Sequence, residues 1–184
     1  MTENKAAFEV HYTNDAEKLT AFYKATICRG ATKKGILILI LGCILLGIIV
    51  AAMTGAVQLN LTRMMTISII LMDIAVLVAG VLMLVYHKLM AKTAFKNGVK
   101  HHNGQMPKTD IVFAGRINIT EGGTKTVYHY GDVTNFRENA KNYFLMFGKY
   151  AGVILPKDSF SVGDANAFKE WIYQKAPRLR LGMK

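Results

Sequence analysis

Two long apolar stretches interrupt an otherwise polar chain, and they set the first elements. Gly35–Val57 (GILILILGCILLGIIVAAMTGAV) runs 23 positions without a charge, and Met64–Tyr86 (MMTISIILMDIAVLVAGVLMLVY) runs another 23 with Asp73 alone charged. At about 1.5 Å of rise per residue either window reaches roughly 34 Å, against a hydrocarbon core of about 30 Å. Both are expected as transmembrane helices. A partly acidic stretch precedes the first window, and its length exceeds the roughly 7–15 residues of a signal-peptide core, so a span is expected there and not a cleaved leader. The six residues Gln58–Arg63 leave room only for a tight turn. The pair is therefore expected as an antiparallel hairpin with both chain ends on one side of the bilayer.

The remaining segments carry shorter periods. In FEVHY, Phe8, Val10 and Tyr12 alternate with Glu9 and His11, the period-two pattern of a half-buried strand. Asn14 or Asp15 then caps a helix carrying Leu19, Phe22, Tyr23 and Ile27. This strand–helix unit, residues 1–34, is too small to fold alone and needs a partner on its own side of the membrane. After the second span, residues 87–105 place Lys88, Lys92, Lys96 and Lys100 four apart, which on a helix makes one slowly drifting stripe.

From residue 106 to 184 the texture changes again. IVFAGRINIT, TKTVYHYGDVTNFREN and NYFLMFGKYAGVILP are rich in Val, Ile, Tyr, Phe and Thr and are broken by Gly-bearing turns. That pattern predicts about six short strands in an antiparallel sheet or small barrel, with a hairpin between Tyr143–Phe147 and Ala151–Leu155. Pro156 ends the last of them. Gly163–Ala176 then sets Ala165, Phe168, Trp171, Ile172 and Lys175 at helical spacing, with Asp164 near its start and Pro177 stopping it. The fold class expected is α+β: a transmembrane hairpin plus a curved antiparallel sheet whose open end is plugged by a C-terminal helix, with Trp171 as a core anchor. Phe8–Tyr12 could supply a further strand, in which case the domain is discontinuous, with the hairpin inserted in it.

Charge orients the hairpin. The chain carries 23 Lys and Arg against 12 Asp and Glu, a net charge of +11, while 52% of its residues are hydrophobic. Lys24, Arg29, Lys33, Lys34, Lys88, Lys92, Lys96 and Lys100 flank the hairpin outside the turn, which holds Arg63 alone. Such a bias places both termini in the cytoplasm. Lys33, Lys34, Lys88, Lys92, Lys96 and Lys100 are the candidate contacts to anionic lipid, each worth about 1 kcal/mol at headgroup level, beside the blander reading of a solvated basic flank. After the second span, 16 Lys and Arg face 7 Asp and Glu. That excess suits anionic lipid or an acidic protein; nucleic acid is disfavoured because no recognition motif accompanies it. Lys141, Lys149 and Lys157 sit on turns of the sheet and could touch lipid.

No catalytic pattern stands out. GxSxG, a Walker phosphate loop, HExxH and paired-cysteine spacings are missing, so no enzyme, metal or cofactor is expected. His101 and His102 are adjacent and point about 100° apart on a helix, which does not chelate. His129 alternates with Tyr128 and Tyr130 and is expected at the surface. Cys28 and Cys43 give no disulfide framework.

Asp73 is the exception. It is the tenth residue of its window, and neither span contains a Lys, Arg or His. Measured from the turn, its depth matches Gly47–Ile48. An ionised, unpaired carboxylate in hydrocarbon costs several kcal/mol, and proton uptake is the usual escape. The carboxyl is thus expected to donate to a backbone carbonyl or to a second Asp73. Thr66 and Gly80 lie seven residues from Asp73 on the same face, and Gly35 and Gly42 are seven apart in the first span. Small residues on one stripe let helices approach closely, which favours a packing contact within the hairpin or between copies.

The stretch VYHYGDVTNFRENAKNYFLMFGKYAGVILPKDSF, followed by a helix with an FxxW pair, resembles the YcxB-like family of small bacterial membrane proteins. Its most specific pieces are Tyr130-Gly131-Asp132-Val133, Tyr143-Phe144-Leu145 and Ile154-Leu155-Pro156-Lys157 with Phe160, and the likeness extends to the FEVHYTND opening. The resemblance implies a cytoplasmic domain of pleckstrin-homology-like shape anchored in the inner membrane by two helices. It implies no activity, and neither Asp73 nor the net charge is part of it. The function expected is non-enzymatic, a domain presented to a cytoplasmic protein or to lipid headgroups of the bilayer. The alternative is a small homo-oligomeric transporter or channel that uses Asp73.

Overall fold

The computed structural model describes residues 5–54, 62–148 and 151–181. The turn expected at Gln58–Arg63 falls largely outside them, as do the end of the first window and Lys149. The chain divides into two compact units: Cys28–Leu89, and a second built from Met1–Ile27 together with Met90–Lys184.

The first unit is helical. α2 spans Ala31–Met53, four residues earlier at its start than the apolar window, and α3 begins at Arg63. α3 continues without a break to His101, 39 residues in all, so the basic segment after the second window is one helix with it. Each helix is long and apolar enough to cross a membrane, and only 11% of either apolar window is buried. The apolar faces of both helices are thus left largely uncovered by the rest of the described chain.

The second unit is α+β and discontinuous. β1 (Phe8–Thr13) and α1 (Ala16–Ala25) precede the helical unit; β2 (Lys108–Phe113), β3 (Ile117–Glu121), β4 (Thr124–Tyr128), β5 (Val133–Glu138), β6 (Asn142–Phe147), β7 (Ala151–Pro156), β8 (Phe160–Val162), α4 (Ala165–Lys175) and α5 (Pro177–Leu181) follow it. Among the described residues, seven strands thus follow residue 106. The one missed in the sequence, β8, has three residues and no alternation to announce it. One antiparallel sheet runs β4-β3-β2-β1-β8, with Phe8 opposite Phe113 and Glu9 opposite Val162; the other runs β5-β6-β7. β1 is therefore an inner strand, bonded on both sides.

The sheets do not close into a barrel. Among the described residues no ladder joins β4 to β5 or β7 to the larger sheet. A short 3-10 turn at Tyr130–Asp132 carries the chain from one sheet to the other, with the exposed His129 capping it and its backbone N–H donating to Asp132 Oδ2 at 2.8 Å. At the β3–β4 reversal, Gly122 and Gly123 both have positive φ, the geometry that matches the strand twist and admits few residues with a Cβ.

Phe168 of α4 fastens the two sheets together. Its ring lies within 4.9–5.8 Å of Phe113 on β2, Phe8 on β1, Phe160 on β8 and Tyr143 on β6, and it is 0% exposed. Asp164 caps the helix by accepting from the Asn166 N–H at 2.9 Å. Trp171 is half-buried, its ring 4.9 Å from Phe8 and 5.6 Å from Tyr130. Pro177 does end α4, and it also opens α5, the position a helix offers proline at no cost in hydrogen bonds. α1 starts at the Asp15 cap, whose carboxylate accepts the Lys18 N–H at 2.7 Å; Ile27 lies beyond its end.

Candidate functional site

Seven-residue spacing organises the helical unit. The buried positions of α2 are Gly35, Gly42 and Ile49, and they meet Gly80 and Asp73 of α3 in antiparallel register. A Cβ added at Gly35 would stand 3.0 Å from the Gly80 carbonyl oxygen and 3.1 Å from Met83 Cβ; one at Gly80 would stand 2.8 Å from Leu39 Cγ. Both glycines are needed for the helices to come this close.

Asp73 faces Gly42. A Cβ at Gly42 would lie 3.6 Å from Asp73 Oδ1 and 2.6 Å from Leu77 Cδ2. Asp73 is 1% exposed, and among the described residues neither carboxyl oxygen has a hydrogen-bond partner. Two expectations change. The depth match is Gly42, not Gly47–Ile48, because the glycine contacts set the register and not the distance from the turn; nothing lies within 4 Å of a Cβ at Gly47. Among the described residues the carboxyl also donates to no backbone carbonyl. It is covered inside one hairpin and does not stand on an outer face where a second copy would meet it.

Thr66 contributes less than its spacing suggests. It is partly exposed, and its hydroxyl donates back to the Thr62 carbonyl at 3.2 Å, the usual way a helix absorbs a threonine. The structure thus brings Gly35, Gly42, Asp73 and Gly80 into one seam and leaves Thr66 at its edge.

The basic residues separate into two groups. Lys33 and Lys34 on α2 and Lys88, Lys92, Lys96 and Lys100 on α3 are all exposed, and among the described residues none has a carboxylate within ion-pair distance. The turn lysines differ. Lys157 reaches Glu138 at 2.7 Å, joined there by Lys169 at 2.9 Å, and Lys141 reaches Glu17 at 3.3 Å. Hydrogen bonds from these two lysines hold the Glu138 carboxyl below its usual range. The six helix lysines thus keep a positive charge that no described carboxylate compensates.

One group of polar residues has no counterpart in the sequence reading. Tyr12, Thr109 and Glu121 stand opposite one another across β1, β2 and β3. The signal was parity: Thr109 is in phase with the inward Ile111 and Phe113, and Glu121 with Ile117 and Ile119. Among the described residues no three His, Cys, Asp or Glu side chains gather as a metal site would require.

The family model described as YcxB-like protein matches residues 114–172, which run from β3 into α4. The match leaves out FEVHYTND and both apolar helices, so it is narrower than the whole-chain likeness noted in the sequence. No curated protein and no solved structure matches the chain.

Proposed function

We propose that this chain is a non-enzymatic bacterial inner-membrane protein whose two-helix anchor holds an α+β domain of pleckstrin-homology-like shape at the cytoplasmic face, in contact with anionic headgroups. The observation that carries this reading is the β1–β2 ladder. Residues 8–13 and 108–113 pair along their whole length although both apolar helices lie between them in the chain. Two strands of one sheet must share a compartment, so a chain crossing the bilayer between them crosses it an even number of times. The excess of lysines flanking the apolar windows supports the cytoplasm as that compartment.

The lysines on α3 carry the lipid contact, since those on the sheet turns at 141 and 157 already have carboxylate partners. Replacing Lys92, Lys96 and Lys100 by Gln removes about 1 kcal/mol each of attraction to an anionic leaflet. In nanodiscs containing phosphatidylglycerol, amide hydrogen exchange over 92–101 is expected to be slower than in neutral nanodiscs for the natural chain, and equal in both for the triple variant. Equal exchange for the natural chain would point to a cytoplasmic protein as the domain's partner.

A second reading, an oligomeric transporter using Asp73, is favoured by one observation: the buried carboxyl without a partner. Asp73→Asn separates the two. With Asp73 as a packing residue, the variant keeps the hairpin and proteoliposomes show the same proton leak before and after the change. A proton flux that the natural chain supports and the variant abolishes would install the transporter reading instead.

A further inference from the structure

The α+β unit contains a cleft of about 350 Å³ where the two sheets fail to join, walled by β1–β4 on one side, β6 and β7 on the other, and α1. Its volume falls at the low end of the range of about 300–1,000 Å³ found for small-molecule sites. Water would occupy roughly 30 Å³ per molecule there, and much of the wall is unsuited to it: Leu19, Phe22, Ile119, Phe147 and Val153.

The polar part of the wall is specific. Asn14 Oδ1 and Thr109 Oγ1 are buried and have no hydrogen-bond partner among the described residues. Such orphans are uncommon in folded proteins, because each one costs the free energy of its lost hydration. An amide oxygen can only accept, so what satisfies Asn14 must be a donor. Among the described residues Glu121 is the one lining residue with a formal charge, and no Lys, Arg or His among them borders the cleft, in a chain of net charge +11. Burial first, and the charge of Glu121 second, push the Tyr12 phenol above its ordinary range.

We infer that this cleft binds a small organic amine, whose N–H donors meet Asn14, Thr109 and Glu121 while its flat apolar body lies against Phe22 and Tyr128. Acceptor on one wall and carboxylate at the rim select a donor-bearing cation over an anion of the same shape. The inference does not depend on the anchor, since every lining residue belongs to the α+β unit.

The test uses the full chain in neutral nanodiscs, titrated with phenethylamine, tyramine and tryptamine, and with 3-phenylpropionate as the anionic counterpart, followed by saturation-transfer NMR. At least one amine is expected to bind, and at least tenfold more tightly than the carboxylate. Glu121→Gln, at an exposed position, is expected to weaken that binding at least fivefold. Ala151→Trp, at the exposed start of β7, is expected to block it. Both variants should keep the trypsin resistance of the natural chain, and a variant that loses it is replaced by Thr126→Trp at the same rim. Binding by none of the three amines, equal binding of the carboxylate, or amine binding unchanged in folded Glu121→Gln or in a folded rim-tryptophan variant would each overturn the proposal.

Discussion

A chain lacking residues 5–13 is expected to have no folded α+β unit. β1 is an inner strand, so its loss opens two ladders at once and unroofs the aromatic cluster beneath α4. Phe8, Val10 and Tyr12 are all buried. At about 1.5–3 kcal/mol for each buried side chain, their removal subtracts about 5–9 kcal/mol, against a total stability of about 5–15 kcal/mol for a typical domain. Limited proteolysis of membranes is the check: trypsin should cut the shortened chain throughout 108–175 under conditions that leave the natural chain whole. Joining residues 5–27 to residue 106 through a flexible linker, without the apolar helices, should restore resistance. Stability of residues 106–184 alone would overturn the assignment of β1 as an indispensable strand.

Phe168→Ala should produce the second-largest loss. The ring is fully enclosed and touches residues of both sheets, so truncation leaves a cavity that neither sheet can close without pulling away from the other. Core Phe-to-Ala changes cost about 3–5 kcal/mol. For a unit of this size that lowers Tm by at least about 10 °C. Trp171, the chain's single tryptophan, packs against Phe8, Phe113 and Phe168, so its fluorescence reports the transition directly. Phe168→Leu, which fills most of the space, should cost markedly less. A Tm unchanged by Phe168→Ala would mean that α4 does not hold the sheets together.

The fold was legible where one residue type dominated a period. The two apolar windows gave the two helices, and FEVHY gave β1. The GDANAFKEW pattern gave α4, with Asp164 near its start. What escaped depended on tertiary placement. β8 is three residues long and exists because β1 offers it an edge. The open seam between the sheets follows from how the chain turns at Tyr130–Asp132, which composition does not reveal. In the helical unit, seven-residue spacing linked Asp73 with Gly80 on one helix and Gly35 with Gly42 on the other, and these four line one seam. The pairing of Asp73 with Gly42 was out of reach, because distance from a turn is a poor ruler when glycines decide how closely two helices lie. Thr66 shared the spacing but not the role, since its hydroxyl found a nearer acceptor on its own helix.

The order in which the ribosome delivers the strands adds a consequence. β1 emerges first and must wait for β2, whose Phe113 lies 105 positions after its partner Phe8. Both apolar helices are synthesised during that interval. A polypeptide that inserted only one of them would strand β1 and β2 in different compartments, and its sheet could never be completed. On the membrane-anchored reading proposed above, correct insertion and a finished domain thus become the same event. On that reading, failed insertion would leave behind an unfolded domain open to proteolysis, and the interrupted sheet would serve as its own proofreading device.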